Sequence, residues 1–230
     1  MPANPISSPA FSLRHPSVSA TLDQLYAATV RVDPGVRQAA HRNGLATEAA
    51  PGFYAAMRDA YMPVTPDLGC LLYLLARSIR ARRIVEYGTS FGISTIYLAA
   101  ALRDNGGGRL LTTEIEPAKA QRAHHHLVQA GLDDLVEIRI GDAAQTLSSD
   151  ILEAIDFVLL DGAKSAYLQV LKALEPALLS GALVVADNSD MAGTQAFLDY
   201  VSEPHNGYLA AALFTEALGT YHGHQVVLRA

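Results

Sequence analysis

The chain has 230 residues, half of them hydrophobic, with 17 Lys and Arg against 23 Asp and Glu for a net charge of −6. That is enough for one sizeable domain with a real core, and the acidic balance argues against nucleic acid, whose phosphates call for a basic surface. The single cysteine, Cys70, excludes an internal disulfide and a cysteine-built zinc site and fits a reducing cytoplasm.

Residues 1–20 are rich in Pro and Ser and carry no basic segment followed by an apolar one, so they read as a loose tail and not as a secretory signal. No apolar run approaches the ~20 residues that span a bilayer, so no membrane is expected. Residues 21–230 read as a single domain, with a helical cap over 21–80 and an α/β core over 81–230. In the cap, Leu22, Leu25 and Tyr26 recur at helical spacing, and Asp33-Pro34 has the acid-then-proline signature of a second helix start. "PGFYAAMRDAYM" gives a short third helix, and Thr65-Pro66-Asp67 opens a longer apolar one through Leu71, Leu72, Leu74 and Leu75. The Leu- and Tyr-rich leader is where a homodimer contact would be sought.

From Arg83 the period changes. "RIVEYG", "RLLTTEI", "LVEIRI", "IDFVLLD" and "ALVVAD" are short apolar runs, each followed by a helical segment, which is the pattern of βαβ units in a parallel sheet covered on both faces. "GYLAAALFTEAL" and "YHGHQVVLRA" then pair as an antiparallel hairpin with a tight Gly-containing turn. The expected fold is α/β: a Rossmann-like, doubly wound seven-stranded sheet, five strands parallel plus the C-terminal hairpin, with an N-terminal helical layer.

In such sheets ligands bind beyond the carboxyl ends of the strands, and those ends carry Glu86, Glu114, Asp142, Asp161 and Asp187. "VEYGTSFGIST" spaces its glycines Gly88-x-x-x-Gly92, not in the Gly-x-Gly-x-x-Gly pattern that cradles a pyrophosphate. An acid two residues before Gly88 would repel a pyrophosphate and suit an ammonium or sulfonium. Glu114 is placed to accept from a ribose diol, and Asp142-Ala143 to meet an adenine edge.

"FVLLDGAK" and "VVADN" end neighbouring strands in Asp161, Asp187 and Asn188, an all-oxygen set of the kind hard cations prefer. Taken alone, Asp187 and Asn188 read better as a strand end and a helix cap; Asp161 beside them tips the balance. Lys164 lies in the first turn after Asp161, where a helix dipole disfavours a cation.

Together "MPVTPDLGCLLYLL", "VEYGTSFGIST", "TTEIEPAKAQRA", "GDA", "DFVLLDGAKSAY" and "VVADN" resemble the class I S-adenosylmethionine-dependent O-methyltransferases, more narrowly the cation-dependent family of catechol and caffeoyl-CoA O-methyltransferases. The resemblance implies cofactor contacts from Val64, Glu86, Gly88, Thr89, Ser94, Glu114, Asp142, Ala143 and Asp161. It also implies a divalent cation, Mg²⁺ before Ca²⁺ or Mn²⁺, on Asp161, Asp187 and Asn188, with Lys164 as catalytic base and its pKa lowered by that cation and by burial. The implied reaction is methyl transfer to a hydroxyl of a small vicinal-dihydroxy aromatic. A nicotinamide oxidoreductase, which would need the other glycine pattern, and a cofactor-binding module without turnover are the competing readings.

Several features stand apart. His124-His125-His126 reads as a solvated helix face, His222 and His224 share one face of the last strand as structural residues, and Tyr167 reads as packing. Gly162-Ala163, where relatives carry bulkier residues, suggests an open wall beside the metal, and Ser189 and Asp190 are left to cap the helix that follows.

Overall fold

A computed structural model describes residues 11–147, 153–217 and 220–230. The leader forms α1 (Pro16–Arg42), followed by the single-turn α2 (Phe53–Ala56) and by α3 (Pro66–Ser78). Thr65 caps α3 by accepting the Leu68 N–H at 3.1 Å, with Pro66 in the first turn, as its sequence predicts. The alternating part runs β1 (Arg83–Tyr87), α4 (Ile93–Asp104), β2 (Arg109–Glu114), α5 (Pro117–Ala130), β3 (Val136–Ile140), α6 (Ala143–Thr146), β4 (Ile155–Leu160), α7 (Tyr167–Leu174) and β5 (Leu178–Ala186). Helix α8 (Gln195–Ser202) and the hairpin β6 (Tyr208–Ala217) and β7 (Thr220–Arg229) complete it; the expected tight turn falls at 218–219, outside the described residues.

The sheet order is β3-β2-β1-β4-β5-β7-β6, with β1 to β5 parallel and the hairpin antiparallel at one edge, as expected. Successive strand residues serve opposite cores. Ile84, Phe157, Leu159 and Val185 pack under α1, α3, α4 and α5, whereas Val85, Val158, Leu160 and Val184 pack under α7 and α8. That is why these strands read as unbroken apolar runs. The order reverses between β1 and β4, so their carboxyl ends flank the crevice where such sheets bind ligands.

The leader departs from expectation in three ways. Residues 1–10 lie outside the described residues, but the rest of the expected tail is not loose: the Ser12 N–H donates to Asp104 at 2.9 Å and α1 begins at Pro16. Pro34 does not open a new helix but lies inside α1, because the carboxylate of buried Asp33 caps a distant segment instead, accepting the Tyr61 and Met62 N–H groups at 2.8 and 2.9 Å. Finally, the leader's Leu22 and Leu25 are spent in the chain's own core with Leu68 and Ile96, while Val30 and Val32 of the same helix stay exposed. Among the described residues no helix is long and apolar enough to cross a membrane.

Candidate active site

The turn from β1 into α4 meets the end of β4 at backbone contact. Gly88 has φ +105°, and a Cβ there would lie 2.6 Å from the Asp161 carbonyl oxygen, so only glycine lets the two loops close. Beneath the turn, Glu86 is fully buried and accepts from the Ser94 and Thr95 hydroxyls at 2.6 Å and from Thr112 at 2.7 Å. Burial pushes its carboxyl up to about 7, although all three hydroxyls pull it down. Thr89 is likewise turned inward, its Oγ1 2.6 Å from Thr112 Oγ1 and its N–H on the Thr113 carbonyl at 3.0 Å. Glu86, Thr89 and Ser94 therefore form the floor of the turn.

Glu114 accepts the Ser90 N–H at 2.7 Å on one oxygen and the Glu116 N–H at 2.9 Å on the other. Asp142 caps α6 by accepting the Ala144 N–H at 2.8 Å, and Ala143 is buried. Val64 is buried on the cap side, its carbonyl accepting the Tyr26 hydroxyl at 3.1 Å.

Asp161 and Asp187 follow the paired residues Leu160 and Ala186, so adjacent parallel strands deliver both acids to one place. Lys164 is buried and donates to Asp161 at 3.1 Å. Asp187 Oδ1 accepts the Asn188 N–H at 2.8 Å, and Asn188 takes a left-handed φ of +49°. Burial and the neighbouring Asp187 push the Asp161 carboxyl well above its ordinary range. Asp187 is held below its own: burial opposes this, but His224 and Lys164 outweigh it. Burial pulls the Lys164 ammonium down, yet Asp161 and Asp187 outweigh that and hold it above its ordinary value, opposite to the direction expected beside a cation. The fit of a hard cation rests on donor chemistry: two carboxylates and an amide, all oxygen, with one acid already burdened by the other's charge. Among the described residues no trio of His, Cys, Asp or Glu is arranged as a metal cluster.

Other groups at the site were hidden in the sequence. Glu48, on the loop before α2, accepts the Lys164 N–H at 3.3 Å and the Tyr54 hydroxyl. Lys119 is buried and donates to the Ala60 carbonyl at 3.0 Å and to Ser90 Oγ at 3.2 Å, tying α5 to both the cap and the glycine turn. The wall at Gly162 is not open: a Cβ there would lie 2.4 Å from Tyr87 Cζ, so the tyrosine ring fills the space. Tyr167 packs as expected and donates to the Asp187 carbonyl at 3.0 Å. Of the three consecutive histidines, His126 is buried against the Phe91 carbonyl at 2.9 Å rather than solvated. Ser189 and Asp190 do not cap α8; the Ser189 N–H donates to the Gly223 carbonyl at 2.7 Å, docking this loop on β7. His224 Nδ1 approaches Asp187 Oδ1 to 2.7 Å.

Known proteins agree with this architecture. Residues 85–189 match the family described as "Methyltransferase domain". The catechol O-methyltransferase of Niastella koreensis is 37% identical over 138 residues, covering 57% of this chain and 62% of that protein. That of Mycobacterium tuberculosis is 36% identical over 125 residues, covering 54% and 56%. The matched region thus spans less than two thirds of these curated relatives. Among solved structures, the O-methyltransferase TomG of Streptomyces achromogenes in complex with S-adenosylmethionine is 31% identical, with a TM-score of 0.66, covering 73% of this chain and 82% of that one. Sheet order, site and similarity together define a Rossmann-like methyltransferase. The chain belongs to the class I S-adenosylmethionine-dependent O-methyltransferases.

Proposed function

We propose that the chain methylates a hydroxyl of a small vicinal-dihydroxy aromatic, with S-adenosylmethionine on the glycine turn and a divalent cation, Mg²⁺ first, on Asp161, Asp187 and Asn188. The catechol O-methyltransferase relatives support the substrate class. When bound, the cofactor supplies an electrophilic methyl group and the cation supplies Lewis acidity toward two adjacent oxygens. The floor of Glu86, Thr89 and Ser94 holds the turn from Gly88 onward for the methionine end. Asp161 and Val64 border it, Glu114 takes the ribose, and Asp142 with Ala143 meets the adenine.

Lys164 is the base for the attacking hydroxyl. The two carboxylates that hold its ammonium up are the same two read as cation ligands. Once they serve a cation, burial becomes the ruling effect on Lys164 and lowers its pKa toward a working range. The observation that carries this reading is the buried Lys164–Asp161 contact of 3.1 Å with Asp187 alongside, at the switch in strand order.

A methylation assay over a panel of catechols tests it. Lys164→Ala should cut kcat by ~100-fold or more, the usual weight of a positioned base, with S-adenosylhomocysteine binding retained. Chelator should suppress turnover and added Mg²⁺ restore it. Unchanged kcat in Lys164→Ala removes the base; turnover indifferent to chelator removes the cation.

A further inference from the structure

His224 lies on β7, the antiparallel neighbour of β5, and the pairing of Ala186 with Gln225 brings it abreast of Asp187. Its side chain is 1% exposed, with Nδ1 2.7 Å from Asp187 Oδ1. On the other side Nε2 lies 2.7 Å from the Thr215 hydroxyl on β6. The Nδ1 approach runs off the N–H direction, and no other acceptor among the described residues meets that nitrogen. Oδ1 of the same carboxylate also accepts the Asn188 N–H at 2.8 Å. Both contacts fall on one oxygen, so Oδ2 is the oxygen Asp187 can offer to a cation.

We propose that His224, oriented by Thr215, is a positioning residue for the cation site: it acts through Asp187 and fixes which carboxylate oxygen is presented. The inference rests on the cation reading above. An imidazole deep in the hairpin could instead be a ligand itself, but its two nitrogens already face Thr215 and Asp187, and Asp161, Asp187 and His224 do not form a metal-ready trio. It could also be only a buried polar pair. A purely structural histidine would not place both of its nitrogens on a path that ends at a candidate ligand. Groups that hold ligating carboxylates in this way govern affinity without touching the ion.

The test is Mn²⁺ binding to the full chain without substrate, followed by the electron paramagnetic resonance of free Mn²⁺ and by calorimetry, with thermal melts in chelator as the fold check. Asp187→Asn should weaken binding severely. His224→Phe should weaken it by ~10–100-fold, the usual effect of losing such an outer partner. His224→Asn, whose amide N–H can stand where Nδ1 stood, should recover affinity to within a few-fold of the parent. Thr215→Val, which leaves the imidazole in place but unanchored, should fall between, and it decides the matter should His224→Phe fail to fold. Parent-like Mn²⁺ affinity in both Thr215→Val and His224→Phe, or in Thr215→Val alone where His224→Phe does not fold, overturns the positioning role alone. A parent chain that takes up no Mn²⁺, or that loses nothing in Asp187→Asn, overturns the cation reading and this inference with it.

Discussion

Glu86 offers a stability test that needs no ligand. Its carboxyl is fully buried and pushed from an ordinary 4.5 to about 7. Because the folded value is the higher one, the folded chain binds the extra proton through that window, and stability falls as pH rises. The contribution is fully present below 4.5 and is lost as pH climbs through about 7. At ~1.4 kcal/mol per pH unit, the window amounts to about 3 kcal/mol. Glu86→Gln keeps the volume and can still pair with the hydroxyls of Ser94, Thr95 and Thr112, but cannot ionise. Urea denaturation of both proteins at steps from pH 4.5 to 8 reads the difference, in which groups common to both largely cancel. The parent should lose ground against the variant by about 3 kcal/mol across that range. A flat difference, or one that favours the parent as pH rises, refutes the claim that burial rules this carboxyl.

Gly162→Ala should cost about 1–3 kcal/mol, because its Cβ meets the Tyr87 ring. Thermal melts of a double-mutant cycle with Tyr87→Ala should show strong non-additivity, and additive losses would separate the two residues. Lys119→Met keeps the aliphatic stem but leaves the Ala60 carbonyl unpaired, at about 1–3 kcal/mol. Hydrogen exchange at the Tyr61 and Met62 amides should quicken in that variant, and unchanged exchange would show that Lys119 does not hold the cap.

The parallel sheet was legible because strands buried on both faces leave a signature that survives without neighbours: "FVLL" and "LVVA" are apolar at every step. The convergence of Asp161 and Asp187 was legible for the same reason, since consecutive parallel strands end side by side. What was hidden depended on partners distant along the chain. Pro34 reads as a helix start only while the Asp33 carboxylate has no other employment, and its true acceptor role lies at Tyr61 and Met62. Gly162 reads as empty space until the Tyr87 ring from another strand is placed over it. His224 needed the register between β5 and β7, which periodicity does not supply; counting back from Asp187 against the hairpin would have been the signal.

The acids at the strand ends differ in what compensates them, and that difference separates their roles. Glu86 is surrounded by hydroxyls, which can donate to a carboxylate or accept from a carboxyl, so it tolerates either state and suits a floor. Glu114 and Asp142 face backbone N–H groups, which can only donate, so their oxygens act as acceptors, as the ribose and adenine roles proposed above require. Asp161 and Asp187 are different again. Asp187 is buried and Asp161 partly so, with Glu48 nearby; the Lys164 ammonium donates to Asp161, and His224 stands against Asp187. A pair kept only for stability would be expected to match its charges, since leftover buried charge is costly. Here Lys164 and His224 both face the two acids, yet burial and Asp187 still raise Asp161, and Asp161 with Asp187 holds Lys164 up against its own burial. A divalent cation there, as proposed above, would act on both of these balances at once.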